Sequence, residues 1–221
     1  MLVVRGLCKE YRRGGGTFYA VRDAAMSVGD GDFVCISGQS GGGKSTLLNM
    51  IAGLLEPTSG SITSGGRELA GMNDYELSLY RNERIGYIPQ GQSILPNLSV
   101  IDNVLLPFYL YKKTGDPTGR AMTLLDRVGI AHLAEAYPAH LSGGELKRTA
   151  IARSLINSPK MLLADEPTVD LDPRNAEEVM KIFSDISRDS AAVILVTHEA
   201  NSARWVARRF SMESGILKET T

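Results

Sequence analysis

Residues Gly38–Thr46 read GQSGGGKST and fit the pattern G-x-x-x-x-G-K-[ST] at every fixed position. An apolar run, Phe33–Ser37, precedes them, and a helical pattern from Lys44 to Leu55 follows. A strand, a glycine-rich loop and a helix in that order cradle phosphate. Gly38, Ser40, Gly41, Gly42 and Gly43 let backbone N–H groups converge on phosphate oxygens, and the helix start at Lys44, Ser45 and Thr46 adds favourable partial charge. Lys44 is expected to reach the β- and γ-phosphates of a bound nucleotide, and the Ser45 hydroxyl to ligate Mg²⁺.

Two further stretches carry chemistry. Met161–Ala164 is an apolar run that ends in adjacent carboxylates, Asp165 and Glu166. A carboxylate at a strand's C-terminal edge beside a phosphate loop is where a Mg²⁺ shell needs an acidic ligand, so Asp165 takes that role. Glu166, one residue on, is placed to orient or deprotonate an attacking water. Leu141–Glu145 (LSGGE) opens a helix, with Ser142 as N-cap and Glu145 three residues later. On local grounds this reads first as a capping box. Gly143 and Gly144 also leave backbone N–H groups free at a second anion-favouring helix start.

The elements that hold these residues follow from periodicity and turn chemistry. Leu2–Leu7 and Phe18–Val28 are strand-like, separated by a turn over Arg12–Gly16. Phe33–Ser37, Ile85–Ile88, Met161–Ala164 and Val193–Val196 read as short buried strands. Between Gly91 and Asn157 the pattern turns helical, over Val100–Tyr111, Met122–Val128 and Leu146–Ile156, with Lys113–Gly119 as a loop. The last two strands are each followed by a helical stretch. This alternation predicts an α/β core with a mostly parallel sheet, interrupted by a helical insert.

Composition limits the function classes. Lys and Arg total 24 and Asp and Glu 25 in 221 residues, so the net charge of −1 gives no reason to expect nucleic acid as a partner. Glycine, at 23 residues, is in excess and points to tight turns or a ligand close to backbone. No apolar run reaches the roughly 18 residues that span a bilayer, and no signal peptide is evident. Cys8 and Cys35 are expected to be buried free thiols, and the three histidines are too scattered for a zinc site. A soluble intracellular chain is expected.

The order of these motifs, followed by Val196-Thr-His198, resembles the nucleotide-binding subunit of ABC transporters from Tyr11 to about Gly215. That resemblance implies a P-loop NTPase fold in a single domain over residues 1–221. An N-terminal antiparallel β subdomain and the core would occupy 1–90 and 158–221, and an α-helical subdomain with the LSGGE signature 91–157. It implies that Tyr11 stacks on adenine. Gln90, with Gln92 as the neighbouring register, contacts Mg²⁺ and senses a membrane partner. Asp172 lies in the loop that communicates across a dimer, and His198 reaches the γ-phosphate. Lys44, Gln90, Glu166 and His198 form the implied catalytic set, and Ser45, Gln90 and Asp165 the metal set. Two cassettes would pair head to tail, as a homodimer or with a related cassette, so that Ser142, Gly143, Gly144 and Glu145 of one face the ATP of the other.

The sequence departs from the family pattern at three places. Glu145 stands where Gln is usual, Pro89 replaces an aromatic or aliphatic residue, and Val169-Asp170 replaces a small-residue pair. The segments Arg84–Gln90, Ile94–Val100 and Asn103–Pro107 are similar to the macrolide-exporter, lipoprotein-release and cell-division branch. The implied role is an ATPase at the cytoplasmic face of the membrane that drives a separate permease as an exporter or mechanical device. An importer subunit and a soluble ABC ATPase are the alternatives. A small-molecule P-loop kinase would explain Lys44 but not LSGGE with His198.

Overall fold

The computed structural model describes residues 1–13, 15–111, 114–189, 191–198 and 205–220. Two long antiparallel strands, β1 (Leu2–Arg13) and β2 (Gly16–Val28), open the chain. Both are longer than their apolar alternation suggested, and they leave only a two-residue gap at 14–15. The loop after β3 (Phe33–Ser37) leads into α1 (Lys44–Ile51). This helix stops short of the expected Leu55, because Gly53 adopts φ 64° and the amides of Leu54 and Leu55 turn back to the Asn49 carbonyl. Two strands and a helix that periodicity did not reveal come next: β4 (Ser59–Ser64), β5 (Arg67–Glu68) and α2 (Asp74–Arg84). The helix α2 is started by an Asn73–Glu76 capping box.

Strand β6 (Ile85–Ile88) leads into the helical stretch: α3 (Val100–Tyr109), α4 (Thr118–Arg127) and α5 (Gly143–Leu155). Thr118 and Gly119, expected in a loop, begin α4; residues 112 and 113 of that loop lie outside the described residues. The core resumes with β7 (Met161–Asp165), α6 (Pro173–Arg188) and β8 (Ala192–Thr197), and ends in a hairpin, β9 (Arg208–Glu213) and β10 (Ile216–Thr220). That hairpin was not anticipated either. The helical stretch expected after β8 falls largely on 199–204, outside the described residues.

Two sheets result. One is antiparallel, in the order β2-β1-β4-β5; the other runs β10-β9-β3-β8-β7-β6, parallel except for its outer hairpin. Strands in the middle of the second sheet are apolar up to their last residue because both faces are covered. Their side chains alternate between two cores. Phe33, Cys35, Leu162, Ala164, Val193 and Leu195 face α3, α4, α5 and α6. Val34, Ile36, Met161, Leu163, Ile194 and Val196 face α1 and the antiparallel sheet. Cys35 is buried, with its thiol pushed up to about 11 by that burial, but Cys8 is only half-buried and accepts a hydrogen bond from the Asp23 amide.

The first core is anchored by Phe183 of α6, fully buried and edge-on to Phe33 at 6.5 Å between ring centroids. Phe183→Ala is expected to cost about 3–5 kcal/mol, because the transfer energy and the cavity left behind add. Thermal denaturation should show the loss directly; a fall in Tm of less than a few degrees would place the anchor elsewhere.

Candidate nucleotide-binding site

Parallel strands put every strand's C-terminal end on one edge of the sheet, where α/β sheets bind ligands. The phosphate loop leaves β3, His198 follows Thr197 at the end of β8, Glu166 follows Asp165 at the end of β7, and Gln90 follows β6. These strands are neighbours in the order β3-β8-β7-β6. Residues from positions 38, 90, 166 and 198 therefore share one edge.

Close approach of backbone explains the loop's glycines. A Cβ at Gly38 would run into the Met212 carbonyl, and one at Gly43, which has φ 103°, into the Ala20 carbonyl. Lys44 is 5% exposed, and its ammonium donates to the carbonyls of Gly38 (2.8 Å) and Gln39 (3.0 Å). Glu166 is equally buried. Its Oε1 lies 3.8 Å from Lys44 Nζ, and its Oε2 accepts from the His198 amide at 3.3 Å and lies 3.0 Å from His198 Nδ1. Glu166 has φ 49°, a conformation that costs a non-glycine residue energy and is found at functional sites. Its backbone is fixed there by the 2.9 Å bond from its amide to the Val196 carbonyl.

Asp165 is 3% exposed. Burial raises its pKa, against the hydrogen bond from the Ser45 side chain, and Oδ1 has no partner. A buried carboxylate oxygen without a donor is costly in a protein of this kind. The pair Ser45 and Asp165 is thus a hard-oxygen set that suits Mg²⁺.

The ABC transporter family profile matches residues 21–169 of the 221. The chain belongs to the ABC transporter family. A dimeric structure of MJ0796, a bacterial ABC transporter cassette, superposes with a TM-score of 0.90 at 33% identity, covering 99% of this chain and 98% of that one. The dimeric post-hydrolysis state of MJ0796 bound to ADP and Pi matches with TM-score 0.87, 31% identity and the same coverage. The ADP conformation of the MJ1267 cassette matches at 0.83 and 25% identity, over 99% and 89% of the two chains. The fold is that of an ATP-binding cassette, a nucleotide-binding P-loop ATPase.

Within this cassette the remaining expected residues fall into separate places. Tyr11 is an exposed ring on β1, stacked on Phe18 at 5.6 Å between centroids, with Lys9 Nζ 5.6 Å from its ring centre. Gln90 is exposed and, with Gln92, lines a cavity of about 680 Å³ that Glu166, Lys147 and Asp170 also border. Asp172 caps α6, and the hydrogen bond from the Asn175 side chain, with those from the backbone amides of Asn175 and Arg174, holds its carboxyl below the usual range. Ser142, Gly143, Gly144 and Glu145 start α5. Among the described residues no hydrogen bond or ion pair joins them to Gly38–Thr46. Glu145 Oε2 accepts from the Ser142 amide and hydroxyl, both at 2.7 Å, and these bonds hold its carboxyl below the usual range. The capping-box reading and the helix-start reading are thus compatible: the box leaves Ser142 and Gly143 exposed.

Because Glu145's folded-state pKa is lowered, its contribution is present above the ordinary carboxyl pKa and is lost as pH falls through the lowered value. Glu145→Gln keeps an acceptor but not the charge at the helix start, worth about 0.3–1 kcal/mol. The variant is expected to melt slightly below the parent cassette at pH 7 and to match it at pH 3. An equal gap at both pH values would show that charge is not what Glu145 contributes.

The turn at Ser214–Gly215 went unrecognised in the sequence. Gly215 donates its amide to the Gly42 carbonyl at 3.1 Å and accepts at its carbonyl from the Arg22 amide at 2.8 Å. The terminal hairpin thereby braces the phosphate loop from one side and β2 from the other. Only the turn-forming Ser-Gly dipeptide marks it.

Proposed function

We propose that this cassette binds MgATP at Gly38–Thr46, hydrolyses it with Glu166 as general base, and powers a separate transmembrane permease from the cytoplasmic face of a membrane. The observation that carries the reading is the buried pair Glu166 and Lys44, covered by the more exposed His198, on the C-terminal edge of the sheet. Glu166 takes the proton of the attacking water at a carboxylate oxygen, and His198 holds that carboxylate and reaches toward the γ-phosphate. Lys44 exchanges its loop carbonyls for phosphate oxygens. Ser45, Asp165 and Gln90 would hold Mg²⁺, which would supply neutralisation of developing phosphate charge. Tyr11 supplies a face for adenine, and Gln92 is the neighbouring register for Gln90.

Two anion-favouring helix starts in one chain, with no bond between them, support a head-to-tail dimer. Ser142, Gly143, Gly144 and Glu145 of one copy complete the phosphate site of another, or of a related cassette, and the loop ending at Asp172 lies between the two. Loss of the bridging γ-phosphate then separates the pair. The segments Arg84–Gln90, Ile94–Val100 and Asn103–Pro107 favour an exporter or mechanical type. Membrane attachment runs through the permease; no helix among the described residues is long and apolar enough to cross a membrane.

Co-purification in mild detergent from native membranes, with ATP and the Glu166→Gln cassette, tests the whole reading. A bound protein with about four spans and a large outer domain is the expected result. A six-span bundle with a solute-binding protein would make it an importer, and a soluble or DNA-bound partner would remove transport altogether.

A further inference from the structure

The side chain of Asn175 spends both halves of its amide on two elements: the loop that the proposed function puts between two copies, and the helix whose start it puts on the partner's ATP. Its Nδ2 donates to Asp172 Oδ2 at 2.5 Å, in the loop that follows Glu166. Its Oδ1 accepts from Arg148 Nη1 at 3.2 Å, on α5, two turns or so behind Ser142. The same amide presses on Gly144, where an added Cβ would collide with Asn175 Oδ1. Arg148 is pinned in turn by Glu178 at 2.8 Å.

We infer that Asn175 is a positioning residue that couples the Val169–Asp172 loop to the Ser142–Gly144 helix start within one cassette. The inference rests on the proposed function, in which Glu166 serves the cassette's own nucleotide and Ser142–Gly144 the partner's. A shift of Asp172 on nucleotide binding pulls Asn175 through one hydrogen bond and α5 through the other. Only an amide does this. A carboxylate at 175 keeps the bond to Arg148 but repels Asp172, and an isosteric leucine loses both bonds while keeping bulk against Gly144.

The test is amide hydrogen exchange on the Glu166→Gln cassette, kept dilute enough to stay monomeric, with and without MgATP, alone and combined with Asn175→Leu or Asn175→Asp. The readout is the change that nucleotide produces at residues 142–146, relative to the change at 38–46. A merely structural contact shifts the nucleotide-free rate but leaves that ratio alone. With Asn175 present, MgATP is expected to slow exchange in both segments. With Asn175→Leu, the response at 142–146 should shrink by about 3- to 30-fold while that at 38–46 persists. Asn175→Asp should behave like Asn175→Leu at neutral pH. If 38–46 responds and Asn175→Leu leaves the response at 142–146 intact, or if 142–146 never responds, the coupling is overturned. No response at 38–46 would overturn the nucleotide reading, and the coupling with it.

Discussion

Glu166→Gln is expected to lower ATP turnover by about 10²–10⁴-fold while leaving ATP binding intact. Gln keeps the shape and the acceptor that takes the His198 amide, but it cannot take a proton from water. Glu166 is 5% exposed, sits between Lys44 and His198, and is held by a strained backbone at φ 49°, so no other carboxylate replaces it on that spot. Steady-state hydrolysis and equilibrium binding of a fluorescent ATP analogue measure the two halves separately. Near-normal turnover would sink the assignment of Glu166 as base. Loss of binding with turnover would make Glu166 a part of the phosphate cradle instead.

Asp165→Asn is expected to move function and stability in opposite directions. Hydrolysis should fall by more than about 10²-fold, because a metal site worth several kcal/mol of charge stabilisation loses its anionic ligand. The metal-free protein should become more stable, because the neutral amide leaves no charge to desolvate at that buried position. The sign follows from the raised pKa of Asp165, whose cause is burial. A carboxyl with a raised folded-state pKa destabilises once pH exceeds its unfolded value, and the penalty grows until pH passes the folded value. The gap in Tm between Asp165→Asn and the parent should therefore open as pH rises from 3 to 7 without metal, and close when Mg²⁺ and ATP are added. A variant that melts below its parent at pH 7 without metal would show that Ser45 and Asp165 are ordinary structural partners.

Much of the chemistry was legible in local sequence. The loop Gly38–Thr46, the carboxylates Asp165 and Glu166 and the Ser142–Glu145 helix start are set by contiguous residues, and so are the strands that carry them. Local rules apply there because an N-cap, a glycine-rich turn and a run of branched apolar residues act over distances of one or two turns. The elements that went unread carry weak local patterns. Arg67–Glu68 is too short for a period, β10 is mostly exposed, and α2 has a mean polarity that hides its single buried residue, Tyr80.

Amino-acid order alone determined that this chain holds a phosphate loop, an acidic strand end and a second anion-favouring helix start. Tertiary structure alone decided which of them meet. Parallel strand order β3-β8-β7-β6 brings Glu166 to Lys44 and His198, and the β9–β10 hairpin reaches back from position 215 to brace Gly42. It also packed the Asn175 side chain against Gly144. The reason is physical: strand order is chosen by burying two alternating faces against two cores at once, a condition on the whole chain that no short stretch of residues expresses.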